Sequence, residues 1–432
     1  MTDAPTAPDA RTARDAPPPD VAAGFPCRSC GTPLRYTFVD LGTSPPCQTV
    51  VRPDELGSGE RHYPLHAFVC HACALVQIDE VVPPEEIFAG EYAYFSSYSD
   101  SWVEHARRYV DAVADRFALG GESLLVEIAS NDGYLLQHAV ARGIPCLGVE
   151  PAANVAAAAV AKGVPTRVAF FGEAEAQRMR AEGLRADVVA GNNVLAHTPH
   201  LNSFLAGLRT LLAPTGVVTI ECPHLLQLVD GNQFDTIYHE HYSYFSFTAA
   251  QRAFARHGLT VFDVEELPTH GGSLRLYARH DADASKPVGD RVRALLAREA
   301  DWGVDALATY DAFAERTRET KRALLDFLIR AAREGKTVAG YGAPGKGNTL
   351  LNFCGIRTDL LAYTVDRNPY KQGTFTPGMR IPVYAPSKIE ETRPDYLLIL
   401  PWNLRDEIAE QMRGIRAWGG QFVVPIPELE VW

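Results

Sequence analysis

From position 123 onward, short apolar runs alternate with amphipathic stretches, which is the pattern of a parallel sheet covered by helices. The segment SLLVEIASNDGYLLQHAVARG (123–143) predicts a strand, a turn and a helix, and CLGVEPA (146–152) predicts the next strand. Further strands are predicted by ADVVAGNNVLAHTP (186–199) and GVVTIECP (216–223). Ligands of such α/β sheets bind at the carboxyl ends of the strands, so the residues that follow each strand are the candidates for chemistry.

The same alternation returns in the last third of the chain. Helical sequence between 292 and 333 leads into KTVAGYGAPGKGNTLLNF (336–353), which predicts a strand, a glycine-rich turn and a helix. Asp366 ends a later strand, and DYLLILPWN (395–403) predicts another. The sequence therefore predicts a second Rossmann-like α/β fold after the first.

Composition limits the partners and the compartment. The 432 residues carry 41 Lys and Arg against 53 Asp and Glu, a net charge of −12 that disfavours a nucleic-acid partner. No stretch has the roughly 18 apolar residues of a membrane span, so no membrane partner is expected. The first 24 residues are rich in Ala, Pro and Asp and lack an apolar core, which predicts a disordered tail and not a signal peptide. We expect a cytoplasmic protein, monomeric or dimeric, with reduced cysteines.

Two CxxC pairs near the front of the chain predict a metal centre. Its four candidate ligands are Cys27, Cys30, Cys70 and Cys73. Each CxxC turn presents two thiolates, and four sulfurs hold one Zn²⁺ tetrahedrally without an open position for a substrate. We therefore predict a structural zinc module; two unrelated pairs of turn cysteines are the alternative.

The first turn of the middle fold decides between two cofactors. Glu127 ends the strand before it, and Glu150 ends the next strand, where a carboxylate can accept hydrogen bonds from both ribose hydroxyls. The turn ASNDG (129–133) lacks the GxGxxG spacing that lets a backbone approach a pyrophosphate. An acidic residue before the turn repels pyrophosphate but suits the cationic groups of S-adenosylmethionine (AdoMet). We predict AdoMet over NAD, and a Rossmann fold without nucleotide is the remaining alternative.

Polar residues after the fourth strand lie at the same predicted edge. Asn192, Asn193 and His197 follow that strand, although ordinary loop polarity explains each of them equally well. The predicted cofactor-binding residues are Glu127, Ala129, Asn131, Asp132, Gly133, Glu150, Asn192 and Asn193.

The glycine-rich turn at 340–347 is compatible with two kinds of ligand. On spacing alone, its glycines and Asp366 make a better dinucleotide fingerprint than the middle fold offers, which favours NAD(P)H and a reductase. The same turn can also bind the diphosphate of a nucleotide sugar, with Lys346 and Lys371 donating charge-assisted hydrogen bonds. The residues by themselves do not decide between these two ligands.

The stretch FDTIYHEHYSYFS (234–246) concentrates histidine, glutamate and tyrosine side chains. It lacks the i, i+4 histidines of HExxH, so a catalytic zinc site is the weaker interpretation. Strict strand alternation would put Glu240 and His241 on opposite faces, so a joint role requires a turn. A polar loop without chemistry is the third interpretation.

In combination, CxxC…CxxC, EIASNDG, GVEP, YHEH, GYGAPGKGN, VDRNPYKQG and LPWN resemble the nucleoside-diphosphate-deoxysugar 3-C-methyltransferases of bacterial natural-product pathways. The resemblance runs from about residue 26 to residue 432. It implies a zinc-binding module (25–90), an AdoMet-dependent methyltransferase domain (91–285) and a C-terminal Rossmann-like nucleotide-sugar domain (286–432), after the tail (1–24). It also favours the nucleotide sugar over NAD(P)H at the C-terminal turn.

The resemblance implies a substrate and a mechanism. The substrate is a dTDP-4-keto-2,6-dideoxyhexose, whose C3 proton is acidified by the C4 ketone, so that its enolate attacks the AdoMet methyl group through C3. His241 is the predicted base. The other predicted catalytic residues are Tyr238, Glu240 and Tyr92, and the predicted substrate-binding residues are Lys346, Asn348, Lys371, Tyr94 and Tyr98. Two rivals are an NAD(P)H-dependent 4-ketoreductase, alone or as a second activity, and a scaffold that binds the sugar nucleotide without turnover.

Overall fold

The structure, a computed structural model, describes residues 24–88 and 95–432. Its strands are β1 (Tyr36–Ser44), β2 (Tyr63–Val69), β3 (Val76–Ile78), β4 (Leu125–Ile128), β5 (Cys146–Glu150), β6 (Thr166–Val168), β7 (Ala186–Asn192), β8 (Leu212–Pro223), β9 (Ser243–Tyr244), β10 (Leu259–Leu267), β11 (Ser273–His280), β12 (Val338–Tyr341), β13 (Thr364–Val365), β14 (Val383–Tyr384), β15 (Tyr396–Ile399), β16 (Gln421–Val424) and β17 (Glu430–Val431). Its α-helices are α1 (Pro84–Phe88), α2 (Asp100–Phe117), α3 (Leu136–Ala141), α4 (Ala153–Ala161), α5 (Glu173–Ala181), α6 (Leu201–Leu211), α7 (Leu225–Asp230), α8 (Phe247–Arg256), α9 (Asp290–Trp302), α10 (Ala308–Arg333), α11 (Gly345–Cys354), α12 (Lys388–Thr392) and α13 (Arg405–Gln411).

The N-terminal part is an antiparallel sheet in the order β1-β2-β3-β9. Its last strand, β9, comes from the middle of the chain, a pairing that the sequence did not predict. Phe38, Leu65 and Ala67 of this sheet are buried in one apolar cluster with side chains of α10. Because β9 follows 234–242 directly, the sheet fixes the histidine-rich stretch to the N-terminal module.

The central part is a seven-stranded sheet in the order β10-β11-β8-β7-β4-β5-β6. The strands β4 to β8 are parallel, whereas β11 runs antiparallel between β8 and β10. The parallel strands are apolar on both faces because helices cover both sides, as the sequence pattern predicted. The strand order reverses beside β4, so the ligand-binding crevice of this sheet lies over the turn that follows β4.

The C-terminal part is a second mostly parallel sheet in the order β14-β13-β12-β15-β16-β17, with β17 antiparallel at one edge. Its strand order reverses between β12 and β15, where Gly342 lies against Pro401: a Cβ at Gly342 would come within 2.7 Å of the Pro401 ring. The predicted strand, glycine-rich turn and helix are all present, and together with the central sheet they confirm the predicted α/β fold class.

The predicted helical region 292–333 consists of two helices, α9 and α10. Gly303 ends α9 with φ of 88°, a left-handed conformation that favours glycine and stops a helix. The long α10 buries one face against the N-terminal sheet and α11. Among the helices in the described ranges, none is both long and apolar enough to cross a bilayer.

Candidate active site

The four cysteine sulfurs converge at one point of the N-terminal module. The Sγ atoms of Cys27 and Cys73 are 3.6 Å apart, those of Cys30 and Cys70 are 3.5 Å apart, and all four lie within 4.8 Å of one another. Tetrahedral Zn–S bonds of about 2.3 Å place sulfurs about 3.8 Å apart, so this arrangement fits Zn²⁺ without rearrangement. The centre is a structural zinc site, because four thiolates complete the coordination.

Gln77 joins the zinc centre to the histidine-rich stretch. Its amide nitrogen lies 3.2 Å from the Cys27 sulfur, and its amide oxygen accepts the backbone N–H of Arg28 at 2.9 Å. In the sheet, Gln77 of β3 is paired with Ser243 of β9. The metal site is therefore one strand away from the segment that carries His241.

The turn after β4 has left-handed backbone at alternate residues. The φ angles are 56° at Ala129, 49° at Asn131 and 77° at Gly133, a region that glycine adopts easily and other residues rarely adopt. The chain therefore forms the tight cofactor-type turn even though two of the three positions are not glycine. The Asn131 amide oxygen, which accepts the backbone N–H of Ser96 at 2.8 Å, helps to hold this conformation.

Two carboxylates flank this turn, as the sequence predicted. The oxygens of Glu150 accept the backbone N–H groups of Asn131 and Ala152, both at 2.9 Å, and each keeps a second lone pair for a ribose hydroxyl. Burial raises the pKa of Glu150, partly opposed by these backbone hydrogen bonds. Glu127 is fully buried, and burial raises its pKa well above the usual range while the Tyr134 hydroxyl opposes the change. A cationic ligand would favour the charged form of Glu127.

Unpartnered polar atoms lie at the same edge of the sheet. Among the residues that the structure describes, neither amide atom of Asn192, nor the Asn193 amide oxygen, nor the Ser130 hydroxyl has a hydrogen-bond partner, although these atoms are buried. Such groups cost free energy unless a ligand or water satisfies them. AdoMet carries ammonium, carboxylate and hydroxyl groups, so these donors and acceptors fit it.

Asp132 connects the turn after β4 to Ser97 and to Lys162. Its carboxylate accepts a hydrogen bond from the Lys162 ammonium group at 2.8 Å and from the Ser97 backbone N–H at 3.3 Å. The segment 96–98 therefore lies against the turn. Asp132 is only 2% exposed, so its role in the structure is to position this segment and the turn together.

The histidine-rich stretch forms a turn and not a strand. The backbone N–H of His241 donates to the Tyr238 carbonyl at 2.9 Å, and the two rings lie 4.1 Å apart between centroids. The ring of His239 instead contacts the Pro64 carbonyl at 3.2 Å. The turn that a joint role for Glu240 and His241 requires is therefore present. Within residues 24–88 and 95–432, the four cysteines form the one cluster of three or more ligand side chains close enough for a metal.

The ring of His241 has a defined tautomer. Its Nδ1 lies 3.0 Å from the Thr236 carbonyl oxygen, which can only accept, so Nδ1 carries the hydrogen and Nε2 carries the lone pair. Burial lowers the pKa of His241 well below its ordinary value, and the neighbouring His197 lowers it further. His241 is thus a neutral imidazole with one basic nitrogen.

His197 is a functional candidate that the sequence did not separate from ordinary loop residues. Its ring lies 4.6 Å from the ring of His241. Burial lowers the pKa of His197 to about 4, opposed by a hydrogen bond to the Glu240 carbonyl. Its position after β7, on the carboxyl edge of the sheet, was the one available signal.

The glutamate between the histidines is itself unusual. Glu240 is 3% exposed, and burial raises its pKa to about 7. A carboxyl group with this pKa exists in both protonation states near neutral pH, so it can donate or accept a hydrogen bond in the cleft.

The C-terminal turn meets the N-terminal module at the start of α11. The Asn348 amide nitrogen donates to the Cys47 carbonyl at 2.7 Å, and a Cβ at Gly345 would lie 2.9 Å from the Cys47 sulfur and 3.0 Å from the Gln48 amide. Asn348 therefore ties two modules together. Lys371 donates to the Ala343 carbonyl at 2.7 Å.

Lys346 extends from the first turn of α11 to the carboxyl end of β15. Its ammonium group donates to the Asn403 side chain at 2.9 Å and lies 4.6 Å from the centre of the Trp402 ring. The Trp402 indole N–H donates to Asp235 at 2.8 Å. Because Asp235 directly precedes the carbonyl that orients His241, the region after β15 contacts the segment that carries His241.

Of the three tyrosines predicted near residue 95, the structure describes only Tyr98. Tyr92 and Tyr94 lie outside the residues that the structure describes. Tyr98 is 69% exposed and contacts the Phe95 ring, with centroids 5.5 Å apart.

Comparisons with known proteins agree with this geometry. Family models match three successive parts of the chain: "Putative zinc binding domain" over 27–88, "Methyltransferase domain" over 102–264 and "C-methyltransferase C-terminal domain" over 268–427. The C-methyltransferase NovU of Streptomyces niveus is 37% identical over 405 residues, which cover 94% of this chain and 96% of that protein.

Two solved methyltransferase structures match less than half of this chain. A SAM-dependent methyltransferase from Anabaena variabilis is 15% identical, with a TM-score of 0.35, and covers 41% of this chain and 86% of that one. Magnesium protoporphyrin IX methyltransferase from Synechocystis, with bound SAM, is 15% identical, with a TM-score of 0.31 over 45% of this chain and 88% of that one. The relationship to NovU spans nearly the whole of both chains, and it shows that this protein belongs to the family of AdoMet-dependent, zinc-binding C-methyltransferases.

Proposed function

We propose that the enzyme methylates C3 of a dTDP-4-keto-2,6-dideoxyhexose through an enolate, in deoxysugar biosynthesis. The observation that supports this most directly is the neutral His241, whose basic Nε2 is fixed by the bond from Nδ1 to the Thr236 carbonyl. Carbon methylation needs a base that generates a carbanion, and an activated C–H beside a ketone is the kind of proton that an imidazole can remove.

The remaining residues of the turn have supporting roles in this proposal. His241 takes the C3 proton on Nε2, while Tyr238 and Glu240 orient the sugar beside it. Burial keeps the base neutral, and His197, which packs against it, disfavours the imidazolium further. We also assign a catalytic role to Tyr92, which lies outside the described residues.

AdoMet, when bound, supplies an electrophilic methyl group. We assign its ribose to Glu150, its cationic end to Glu127, and its polar contacts to Asn192 and Asn193, because these groups are buried at one sheet edge with hydrogen-bonding capacity left over. Residues 129–133 provide the turn on which it lies. The water-poor setting of this edge strengthens each of these contacts.

The nucleotide end of the substrate belongs in this proposal to the C-terminal domain (286–432), across the cleft from the methyltransferase domain (91–285). Lys371 and the first turn of α11 offer positive charge to a diphosphate. Asn348 shapes this surface through its bond to the zinc module (25–90). Tyr98, and Tyr94 outside the described residues, are assigned to substrate binding.

The rival ketoreductase requires a dinucleotide pyrophosphate at the start of α11. Cys47 and Gln48 of the zinc module pack against Gly345, where a Cβ would lie 2.9 Å from the Cys47 sulfur and 3.0 Å from the Gln48 amide, so Gly345 has a packing role as well. Asp366, the acidic residue of the predicted dinucleotide fingerprint, accepts the backbone N–H groups of Ala343 and Asn368, both at 2.8 Å. We favour the nucleotide sugar over NAD(P)H at this turn on the resemblance to the deoxysugar C-methyltransferases.

The test is incubation of the purified protein with AdoMet and a dTDP-4-keto-2,6-dideoxyhexose, with and without NADPH, followed by mass spectrometry of the sugar nucleotide. We expect a gain of one CH₂ that requires AdoMet and is independent of NADPH. A gain of two hydrogens that requires NADPH would support the reductase instead, and an unchanged substrate under all conditions would leave a non-catalytic binding role.

A further inference from the structure

Lys346 is connected to the proposed catalytic turn (residues 236–241) through Trp402 and Asp235. It is half-buried, and one of its three N–H groups is used by Asn403, at 2.9 Å. The ammonium group also lies over the face of Trp402, 4.6 Å from the ring centre. These two contacts fix the position of a long side chain that would otherwise be mobile.

Trp402 is in turn fixed from two sides. Its indole N–H donates to the Asp235 carboxylate at 2.8 Å, and the far edge of its ring fills the space beside Gly271, where a Cβ would come within 2.7 Å of it. Asp235 is fully buried and precedes Thr236, whose carbonyl orients His241. The base and the ammonium group are therefore held by adjacent residues of one segment.

The pKa shifts indicate that Lys346, Asp235 and His241 interact electrostatically. Burial raises the pKa of Asp235 to about 7, and Lys346 opposes this increase. Burial lowers the pKa of Lys346, opposed by Asp235. Lys346 also contributes to the lowered pKa of His241. The ammonium group is thus partly dehydrated and within electrostatic range of the base.

Lys371, the other lysine assigned to the substrate, lies elsewhere. Its ammonium group donates to the Ala343 carbonyl and is 4.0 Å from Asp366, at the end of β13. The contacts of Lys371 are therefore to the glycine turn itself, whereas those of Lys346 lead to the catalytic turn. The two lysines occupy different parts of the site.

This difference matters because the proposed reaction creates negative charge away from the base. When His241 removes the C3 proton, the C–H electron pair forms the C3–C4 double bond, and the carbonyl π pair moves to the C4 oxygen. An electron pair on the C4 oxygen then reforms the ketone as C3 bonds to the methyl carbon of AdoMet, and the pair of the broken S–CH₃ bond stays on the sulfur of S-adenosylhomocysteine. A fixed, partly dehydrated cation at the oxygen stabilises this enolate far better than water does.

We propose that Lys346 donates a hydrogen bond to the C4 carbonyl oxygen of the sugar and stabilises the enolate, leaving the diphosphate to Lys371 and the start of α11. Asp235 and Trp402 act as positioning residues for this ammonium group. The inference rests on the proposed C3 methylation and adds the second catalytic group that the chemistry requires.

The test separates enolate formation from binding of the nucleotide. Lys346→Met keeps the length of the side chain and removes the charge. In D₂O with S-adenosylhomocysteine and saturating dTDP-4-keto-2,6-dideoxyhexose, we expect exchange of the C3 proton to slow by about 100-fold or more, the usual effect of removing one oxyanion donor. The affinity for dTDP, measured by calorimetry, should change by less than about threefold, and binding of S-adenosylhomocysteine verifies that the variant is folded.

Three comparisons make the result specific. Lys346→Gln, which restores a neutral donor, should recover part of the exchange rate. Lys371→Met should weaken dTDP binding instead, and Lys388→Met, at an exposed lysine of the same domain, should change neither quantity. If Lys346→Met weakens dTDP binding while the exchange rate at saturation is unchanged, Lys346 binds the diphosphate and the inference is wrong. If the wild-type enzyme neither exchanges the C3 proton nor methylates the sugar, the proposed function fails, and this role fails with it.

Discussion

At the scale of single residues, the proposed reaction requires His241 as a neutral base. We expect His241→Asn to reduce methyl transfer to near the detection limit, because asparagine cannot accept the C3 proton, while affinity for S-adenosylhomocysteine stays nearly unchanged. His239→Asn is the matched control, since His239 contacts the Pro64 carbonyl, away from His241. Turnover and calorimetry on both variants measure the difference, and a wild-type rate in His241→Asn would remove His241 as the base.

The raised pKa of Glu240 predicts that the stability of the folded enzyme depends on pH. Because burial raises its pKa from 4.5 to about 7, the folded state binds this proton more tightly than the unfolded state, so ionisation costs stability as the pH rises from about 4.5 through 7. The penalty above pH 7 is about 3 kcal/mol. Glu240→Gln cannot ionise, so its free energy of unfolding relative to the wild type should increase between about pH 5 and pH 8.

Denaturant unfolding at the two pH values measures this increase. Glu122→Gln, at an exposed position, should show no comparable change. A difference between Glu240→Gln and wild type that stays constant across this pH range would mean that Glu240 titrates normally in the folded enzyme.

At the scale of elements, the left-handed backbone of the turn after β4 predicts that a substitution to glycine does not destabilise the protein. Ala129 has φ of 56°, so Ala129→Gly should relieve strain and leave the protein as stable or up to about 1 kcal/mol more stable, whereas Ala129→Val should destabilise it by about 1–3 kcal/mol. Ala157→Gly, on the exposed face of α4, is the control: it should cost about 0.5–1 kcal/mol, as glycine does inside a helix. Unfolding measurements that show Ala129→Gly as destabilised as Ala157→Gly would contradict the left-handed turn.

The elements also show what the sequence could predict. Apolar runs and turn residues were sufficient for the two parallel sheets, because each signal is local. In the sequence, the turn ASNDG (129–133) only lacks the glycines of a nucleotide-binding turn. The backbone angles were needed to show that Ala129 and Asn131 adopt the left-handed conformation that glycine favours. The pairing of Gln77 with Ser243 and the contact of Trp402 with Asp235 join distant segments, so no local pattern could predict them.

At the scale of the whole molecule, we expect zinc to affect catalysis through the N-terminal sheet. The cysteine pairs lie beside β3, and β3 holds β9, which follows the catalytic turn directly. We expect Cys27→Ser with Cys73→Ser to lose bound zinc and methyl transfer, while S-adenosylhomocysteine binding by the central sheet is largely kept. Elemental analysis, turnover and calorimetry measure the three quantities; full zinc content would contradict the ligand assignment, and unchanged turnover without zinc would contradict the coupling.

The central claim, that the cleft between the two parallel sheets performs carbon methylation at C3, is tested most directly by locating the transferred methyl group. The enzyme is incubated with AdoMet carrying an isotope-labelled methyl carbon and a dTDP-4-keto-2,6-dideoxyhexose, and the product is examined by carbon NMR. We expect one labelled methyl signal that couples to C3, where the methyl group has replaced the hydrogen removed from C3. A labelled signal from an oxygen-bound methyl group, or from a methyl group on a carbon other than C3, would contradict it.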